Sequence, residues 1–129
     1  MNMEKRSKGF TLIELLVTIA VMSTLVVIAL PLYTKYVARS RQQEAKAQLM
    51  AVRQAQEIYK LQYGSYCLVA TDLSGWKGTA GKYAMALTGA SASTFSASAT
   101  GNIDTDATSD VWTIDQDGNL LNTTNDVDN

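Results

Sequence analysis

Residues 10–33 read FTLIELLVTIAVMSTLVVIALPLY, and this apolar run decides the fold. Glu14 is the only ionisable side chain among these 24 residues. A helix of this length would extend about 36 Å, which is enough to cross the hydrocarbon core of a bilayer. The run therefore predicts a membrane-spanning helix.

The residues around this run divide the 129-residue chain into regions of different charge. A short basic head occupies residues 1–9. Residues 34–82 hold eight Lys or Arg and three acidic residues, whereas residues 83–129 hold seven Asp and no basic residue. Because basic residues flank the run on both sides, charge alone does not fix the direction of insertion.

The apolar run is too long for an ordinary secretory signal, whose apolar core of roughly 7–15 residues is followed by a small-x-small cleavage site. The nearest such triplet, at residues 38–40, lies beyond Pro31 and Lys35. Hydropathy alone therefore favours an uncleaved single-pass anchor.

Past Pro31, apolar residues recur every three or four positions, as on one face of an amphipathic helix. The residues of this stripe are Ala45, Leu49, Val52, Ala55, Tyr59, Tyr63 and Tyr66. No glycine occurs between Phe10 and Tyr63, and Gly64 is a natural stop, so the sequence predicts one helix over residues 10–63. We expect Pro31 to bend this helix because it removes a backbone donor and crowds the preceding turn.

Residues 83–123 carry the pattern of a small antiparallel sheet. Four strands are predicted, at 83–88, 94–100, 111–115 and 119–122. Gln116-Asp117-Gly118 is typical of a hairpin turn between the last two. We predict a loop at residues 65–82 and an acidic tail at residues 124–129. The predicted fold class is α+β, with one long helix packed through its apolar stripe against a four-stranded antiparallel sheet.

The chain has no histidine, and its one cysteine is Cys67. It therefore lacks the commonest general base and metal ligand, and it cannot form an intramolecular disulfide or a Cys-based zinc site. No nucleophile–base pair can be assembled from its residues, so the sequence predicts a protein that is not an enzyme and has no cofactor. We expect Cys67, which follows the end of the helix, to be buried as a small hydrophobe.

The acidic C-terminal residues are interpreted without a metal. Residues 115–119, DQDGN, contain part of a calcium-loop pattern, but no Glu follows Glu57 to complete an EF-hand. The sequence predicts a hairpin turn there, and it places Asp104, Asp106 and Asp110 in a solvated acidic loop. We predict no metal site, although the sequence leaves calcium binding by the acidic loop open.

Residues 9–14, GFTLIE, resemble the type IV prepilin signal of type IV pilins and of the pseudopilins of type II secretion. The resemblance rests on a combination: a basic leader, a Gly–Phe junction, a Glu four residues past the Phe, and an apolar run to Pro31. Residues 31–67, PLYTKYVARSRQQEAKAQLMAVRQAQEIYKLQYGSYC, are similar to the corresponding helix of minor pilins of the PilE type. The resemblance covers residues 1–67, and the sheet agrees with it by pattern only.

This resemblance implies a structural subunit of a type IV pilus fibre, of the minor rather than the major kind. Prepilin peptidase would remove a leader peptide at residues 1–9 by cutting between Gly9 and Phe10, and it would methylate the new amino group of Phe10. Residues 10–33 would form the transmembrane segment and later the fibre core, and residues 34–129 the globular domain. The implied partners are other pilin subunits, prepilin peptidase, the inner-membrane assembly platform and the inner membrane itself.

The resemblance also implies a location and three assembly residues. The chain would be a single-pass inner-membrane protein with its C-terminal domain in the periplasm, and after assembly it would belong to a cell-surface pilus. The assembly residues would be Thr11, Glu14 and Pro31, and Pro31 would mark where the helix can melt in the fibre.

Glu14 has a physical reason for such a role, because a carboxylate inside a bilayer costs several kcal/mol unless it is paired. Cleavage would create a positive amine at Phe10, one helical turn away. If Glu14 met the amine of a neighbouring subunit, the buried charges would be neutralised only at the correct axial step.

Two alternatives remain beside the pilus subunit. One is a pseudopilin of a type II secretion system, and the other is a permanently membrane-anchored periplasmic binding domain. The basic residues of the helix and loop are spread around the helix rather than clustered, which argues against DNA as a partner.

Overall fold

The computed structural model describes residues 9–127, so leader residues 1–8 and the last two residues of the acidic tail lie outside it. The chain forms two compact units, divided after Thr34. One α-helix, α1, spans Leu12–Tyr63 without a break at Pro31. It begins two residues later than predicted and ends at the predicted stop, where Gly64 adopts a positive φ of 78° and its N–H donates to the Lys60 carbonyl at 2.8 Å.

The second unit contains a five-stranded antiparallel sheet in the order β1-β2-β3-β4-β5. Its strands are β1 Thr79–Ala80, β2 Tyr83–Ala90, β3 Phe95–Gly101, β4 Asp110–Asp115 and β5 Leu120–Thr124. Each strand pairs with the next along the chain. The α+β prediction is confirmed, and the strand count of four was one too low.

The missed strand, β1, lies inside the predicted loop over residues 65–82. It is two residues long and turns back on β2 through Gly81, whose φ is 58°. Two residues are too few to show an alternating pattern, so periodicity alone does not reveal such a strand. A short 3₁₀ turn, Ala70–Asp72, also lies in this segment.

The predicted hairpin turn between β4 and β5 is confirmed. The Gly118 N–H donates to the Asp115 carbonyl at 3.1 Å, and Gly118 has a φ of 84°. The Asp115 carboxylate accepts the backbone N–H groups of Asp117 and Asn119 at 3.0 and 2.9 Å. The Asn119 side chain also donates to this carboxylate. That bond first, and then the backbone bonds, hold the pKa of Asp115 below its ordinary value.

The core of the second unit lies between one face of α1 and one face of the sheet. Ala45, Leu49 and Val52 of the predicted stripe are buried, but Tyr63 at the end of the stripe is 66% exposed. The buried helix face starts earlier than predicted, and it includes Ala38, Gln42 and Gln56. The sheet contributes buried residues from β2, β3 and β4: Tyr83, Met85, Phe95, Ala97, Ala99, Trp112 and Ile114.

Gln56 is buried because it pairs with the backbone of Cys67. Its Nε2 donates to the Cys67 carbonyl at 2.8 Å, and its Oε1 accepts the Cys67 N–H at 2.8 Å. The two bonds attach the segment after the helix to the helix face. Cys67 is 3% exposed, so its expected burial is confirmed.

Asp110 is fully buried, so its predicted place in a solvated loop was wrong. Its carboxylate accepts five hydrogen bonds from α1, β2, β4, β5 and the C-terminal segment. The donors are the Tyr83 hydroxyl (2.5 Å), Trp112 Nε1 (2.6 Å), Gln42 Nε2 (3.0 Å), Asn122 Nδ2 (3.0 Å) and the Asp126 N–H (3.2 Å). Burial alone would raise the pKa of Asp110, but these donors hold it below its ordinary value. The carboxylate therefore links α1 to three strands of the sheet and to the C-terminal segment.

Candidate functional site

The apolar run is fully exposed in the single chain. All described residues from 9 to 36 are exposed, and the large apolar side chains over 10–32 range from 51% exposed at Val26 to 88% at Phe10. An 18-residue stretch of α1 has a mean hydropathy of 2.6, and none of it is buried within the chain. A helix that is apolar on all sides is stable only when lipid or other protein covers it.

The polar side chains of this segment are satisfied within the helix itself. Each of four hydroxyl groups donates to a backbone carbonyl three or four residues earlier. These residues are Thr18, Ser23, Thr24 and Thr34, with distances of 2.6 to 3.0 Å. Such bonds satisfy these four hydroxyl donors without water, which suits a helix surrounded by apolar groups.

Thr11 and Glu14 form a capping box at the start of α1. The Thr11 N–H and hydroxyl both donate to Glu14 Oε2 at 2.8 Å, and the Glu14 N–H donates to the Thr11 hydroxyl at 3.3 Å. This arrangement satisfies free N–H groups at the helix end and explains why α1 begins at Leu12. The T-x-x-E spacing of a capping box is present at residues 11–14, but the sequence analysis interprets Thr11 and Glu14 only as assembly residues.

Phe10, Ile13, Glu14, Val17 and Thr18 line one shallow surface groove. These residues are spaced as on one face of a helix. The capping box holds the Glu14 carboxylate beside Phe10 on this apolar surface. The predicted residues Phe10, Thr11 and Glu14 are thus brought together. Pro31 lies well away along α1 and is not part of the groove.

In the part of the chain that the structure describes, the space beside Gly9 is open. A Cβ added to it would meet no atom within 4 Å, and its φ is not positive. Packing and backbone conformation therefore do not require glycine at this position.

The comparison with protein families matches this N-terminal segment and the residues that follow. Residues 5–30 match the prokaryotic N-terminal methylation motif. Residues 31–110 match the family described as type IV minor pilin ComP, DNA uptake sequence receptor. The chain belongs to this family of type IV minor pilins. The resemblance noted in the sequence is therefore confirmed.

Curated relatives of this pilin are themselves named as pilins or fimbrial proteins. The type IV major pilin protein PilA of Myxococcus xanthus is 40% identical over 68 residues, which cover 53% of this chain and 31% of the relative. The fimbrial protein EcpC of Eikenella corrodens is 60% identical over 38 residues, 30% of this chain and 25% of the relative. The type IV major fimbrial protein FimA of Dichelobacter nodosus is 35% identical over 81 residues, 61% of this chain and 52% of the relative. The matches thus span from a quarter to about half of the relatives' length.

The pilin family is structural rather than catalytic. A single apolar N-terminal helix together with the methylation motif fits anchoring in the inner membrane and assembly into a pilus.

Several basic residues between 34 and 82 contact the loops and sheet of this minor pilin. Lys46 Nζ lies 4.3 Å from the Trp112 ring centroid, and Lys60 Nζ lies 4.4 Å from that of Tyr66. The other two contacts run to backbone carbonyls, from Arg41 to Ile103 and from Arg53 to Gln116. These cations stabilise the fold and are only partly exposed.

Proposed function

We propose that this minor pilin is a structural subunit of a type IV pilus. The observation that carries the proposal is an apolar helix, exposed on all sides, that begins three residues after Gly9 in a matched methylation motif. Lipid covers this surface before assembly, and the apolar helices of neighbouring subunits cover it in the fibre. The pilin and fimbrial names of the relatives favour a pilus over the pseudopilin alternative.

The proposal includes processing between Gly9 and Phe10. A prepilin peptidase needs an extended, accessible backbone at the cleaved bond, and glycine leaves that backbone unobstructed. The described residues do not require glycine at position 9, and this supports recognition by the peptidase as the reason for it. After cleavage, methylation falls on the new amino group of Phe10.

Glu14 then pairs with the Phe10 amine of a neighbouring subunit. The carboxylate lies in the groove beside Phe10, and Thr11 holds it at the helix end. A carboxylate offers roughly four lone-pair sites, so the bonds from Thr11 leave capacity for an ammonium group. The pair forms only where the two subunits are displaced by the correct axial step, and it gives the fibre its register.

In this proposal the globular domain faces the periplasm before assembly. The chain is drawn from the inner membrane by the assembly platform and ends in a pilus on the cell surface. A permanently anchored binding domain would share the helix but would keep its N-terminal leader.

Sequencing of the mature N-terminus tests this proposal. Protein isolated from a host with an active prepilin peptidase is expected to start at Phe10 and to carry one added methyl group. Gly9→Val is expected to stay uncut. Because a Cβ at position 9 meets no described atom within 4 Å, this loss reports on peptidase recognition. An intact Met1 start in the wild type would contradict the proposal and favour the permanent anchor.

DNA binding is the second candidate function, because the matched family is described as a DNA uptake sequence receptor. Lys77 and Lys82 are exposed, and they are the basic residues of the second unit that lie outside the helix. Fluorescence anisotropy with short duplexes at several salt concentrations is the test. Binding that weakens in Lys77→Ala and Lys82→Ala and falls with salt would support DNA contact. No binding at low salt would exclude it.

A further inference from the structure

The loop that joins β3 to β4 brings acidic side chains to the segment that follows β5. One carboxylate oxygen from each of Asp104, Asp106 and Asp126 lies within 4.8 Å of the others. Two oxygens bound to one calcium ion are separated by at most about 5 Å, since each lies roughly 2.4 Å from the ion. The three carboxylates are therefore close enough to share one ion.

The strongest evidence for a ligand comes from the Asp126 side chain. It is 1% exposed, and its Oδ2 accepts the Ile103 N–H at 3.2 Å. Its other oxygen, Oδ1, is buried and accepts no hydrogen bond from the described residues. A buried carboxylate oxygen without a partner is costly, and the nearby carboxylates of Asp104 and Asp106 add repulsion.

The loop and the C-terminal segment are both fixed on the core. Ile103 is fully buried, and its carbonyl accepts a hydrogen bond from the Arg41 guanidinium. The Asp126 N–H donates to Asp110 Oδ1 at 3.2 Å. The acidic cluster is thus held by neighbours on both sides, which lowers the entropy cost of ion binding.

We propose that Asp104, Asp106 and Asp126 bind one Ca²⁺ ion, which ties the loop of residues 102–109 to the C-terminal segment. The donors are all oxygens, and Ca²⁺ accepts six to eight of them in a flexible geometry, with water completing the shell. Zn²⁺ favours nitrogen and sulfur ligands, and the chain has no histidine. Mg²⁺ demands a near-ideal octahedron, which three carboxylates on two segments do not readily provide.

This ion would cross-link the loop to the C-terminal segment, a role that an internal disulfide fills in other small domains. With one cysteine, the chain forms no internal cross-link near its C-terminus. The inference stands on the globular unit alone and does not depend on the proposed pilus function.

Calorimetric titration of the full chain in detergent, after removal of divalent ions by chelation, tests the site. We expect Ca²⁺ to bind with a Kd of about 10⁻⁴ to 10⁻³ M, the range of extracellular calcium modules, and Mg²⁺ to bind at least tenfold more weakly. Asp104→Asn and Asp106→Asn remove charge from a loop without removing core atoms, and each is expected to weaken Ca²⁺ binding at least tenfold. Asp117→Asn, an exposed acid in the β4–β5 turn, is the matched control and should bind as the wild type does.

Thermal unfolding provides the second readout. At 10 mM Ca²⁺ we expect the unfolding temperature to rise by roughly 4 to 8 °C in the wild type and in Asp117→Asn, and by much less in the two loop variants. The absence of Ca²⁺ binding up to 10 mM would overturn the proposal. Unchanged binding in both loop variants, or equal responses to Ca²⁺ and Mg²⁺, would overturn it as well.

Discussion

Asp110 is the buried acidic residue that links α1, three strands and the C-terminal segment of the globular unit. Its buried carboxylate accepts hydrogen bonds from the side chains of Gln42, Tyr83, Trp112 and Asn122 and from one backbone N–H. Removing one member of a buried hydrogen-bond network leaves its partners unpaired, which is costly.

We expect Asp110→Asn to lower the free energy of unfolding by about 3 kcal/mol, because an amide NH₂ would face donors that now share a carboxylate. Urea unfolding of the full chain in detergent measures the change. The control is Asp117→Asn, whose exposed side chain should change stability by less than about 0.5 kcal/mol. Equal stability of the Asp110→Asn variant and the wild type would contradict the role given to this network.

The same variant has a defined pH dependence. The folded-state pKa of Asp110 lies below its ordinary value of 3.8, so the charged carboxylate contributes stability above that value and loses it as pH falls through the lowered pKa. The difference in stability between the wild type and Asp110→Asn is therefore expected to shrink as pH falls from 5 to 2. A difference that stayed constant would show that the charge of Asp110 is not what stabilises the fold.

Cys67 is expected to react slowly with a maleimide probe in the native protein. Its side chain is buried, and Gln56 holds both its N–H and its carbonyl. Gln56→Leu removes both bonds, and we expect the rate of labelling to rise at least tenfold. Rapid labelling of the wild type would show that the segment after α1 opens readily.

The sequence identified apolar buried residues better than polar ones. Ala45, Leu49 and Val52 follow from helical spacing, because burial of apolar groups is what the spacing reports. Gln42, Gln56 and Asp110 were missed because a polar side chain is buried only where specific partners meet it. Asp110, the partner of Gln42, is 68 residues away along the chain, and Cys67, the partner of Gln56, is 11 residues away.

At the level of elements, the close contact between β2 and β3 depends on Gly101. A Cβ at this position would lie 2.5 Å from the Lys82 carbonyl oxygen and 3.0 Å from the Tyr83 Cα, and backbone atoms cannot move aside cheaply. We expect Gly101→Ala to lower the free energy of unfolding by about 2 kcal/mol. Gly78→Ala is the matched control, since a Cβ there meets nothing within 4 Å and its φ is not positive. Equal stability of the two variants in urea would contradict this packing account.

The elements themselves were largely predictable, for reasons that differ between helix and sheet. α1 followed from the lack of glycine between Phe10 and Tyr63, and its first turn was marked by Thr11 and Glu14. The four longer strands followed from alternation and from the Gly118 turn. β1 did not, because its pairing is set by Gly81 and by contact with β2 rather than by its own two residues.

At the scale of the whole molecule, the central feature is the apolar first half of α1, whose residues are exposed in the single chain. The candidate site at residues 9–14 was predictable because a motif carries it in consecutive residues, whereas the acidic cluster brings Asp126 to two residues 20 and 22 positions earlier in the chain. The exposed helix needs lipid or other subunits around it, and the proposed fibre supplies the second of these.

The amount of the chain in sheared surface fibres, compared for the wild type and Glu14→Ala, is the most direct test of this account. The wild type is expected in the sheared fraction. Glu14→Ala should be processed and inserted in the membrane normally, because it removes a charge that is costly in lipid, but its incorporation should be lost. A Phe10 amine left unpaired in a dry fibre core would cost roughly 3 to 5 kcal/mol per interface. Glu14→Gln, which keeps an acceptor without the charge, should be intermediate. Absence of the wild type from sheared fibres would contradict the pilus proposal, and normal amounts of Glu14→Ala in them would contradict the pairing that sets its register.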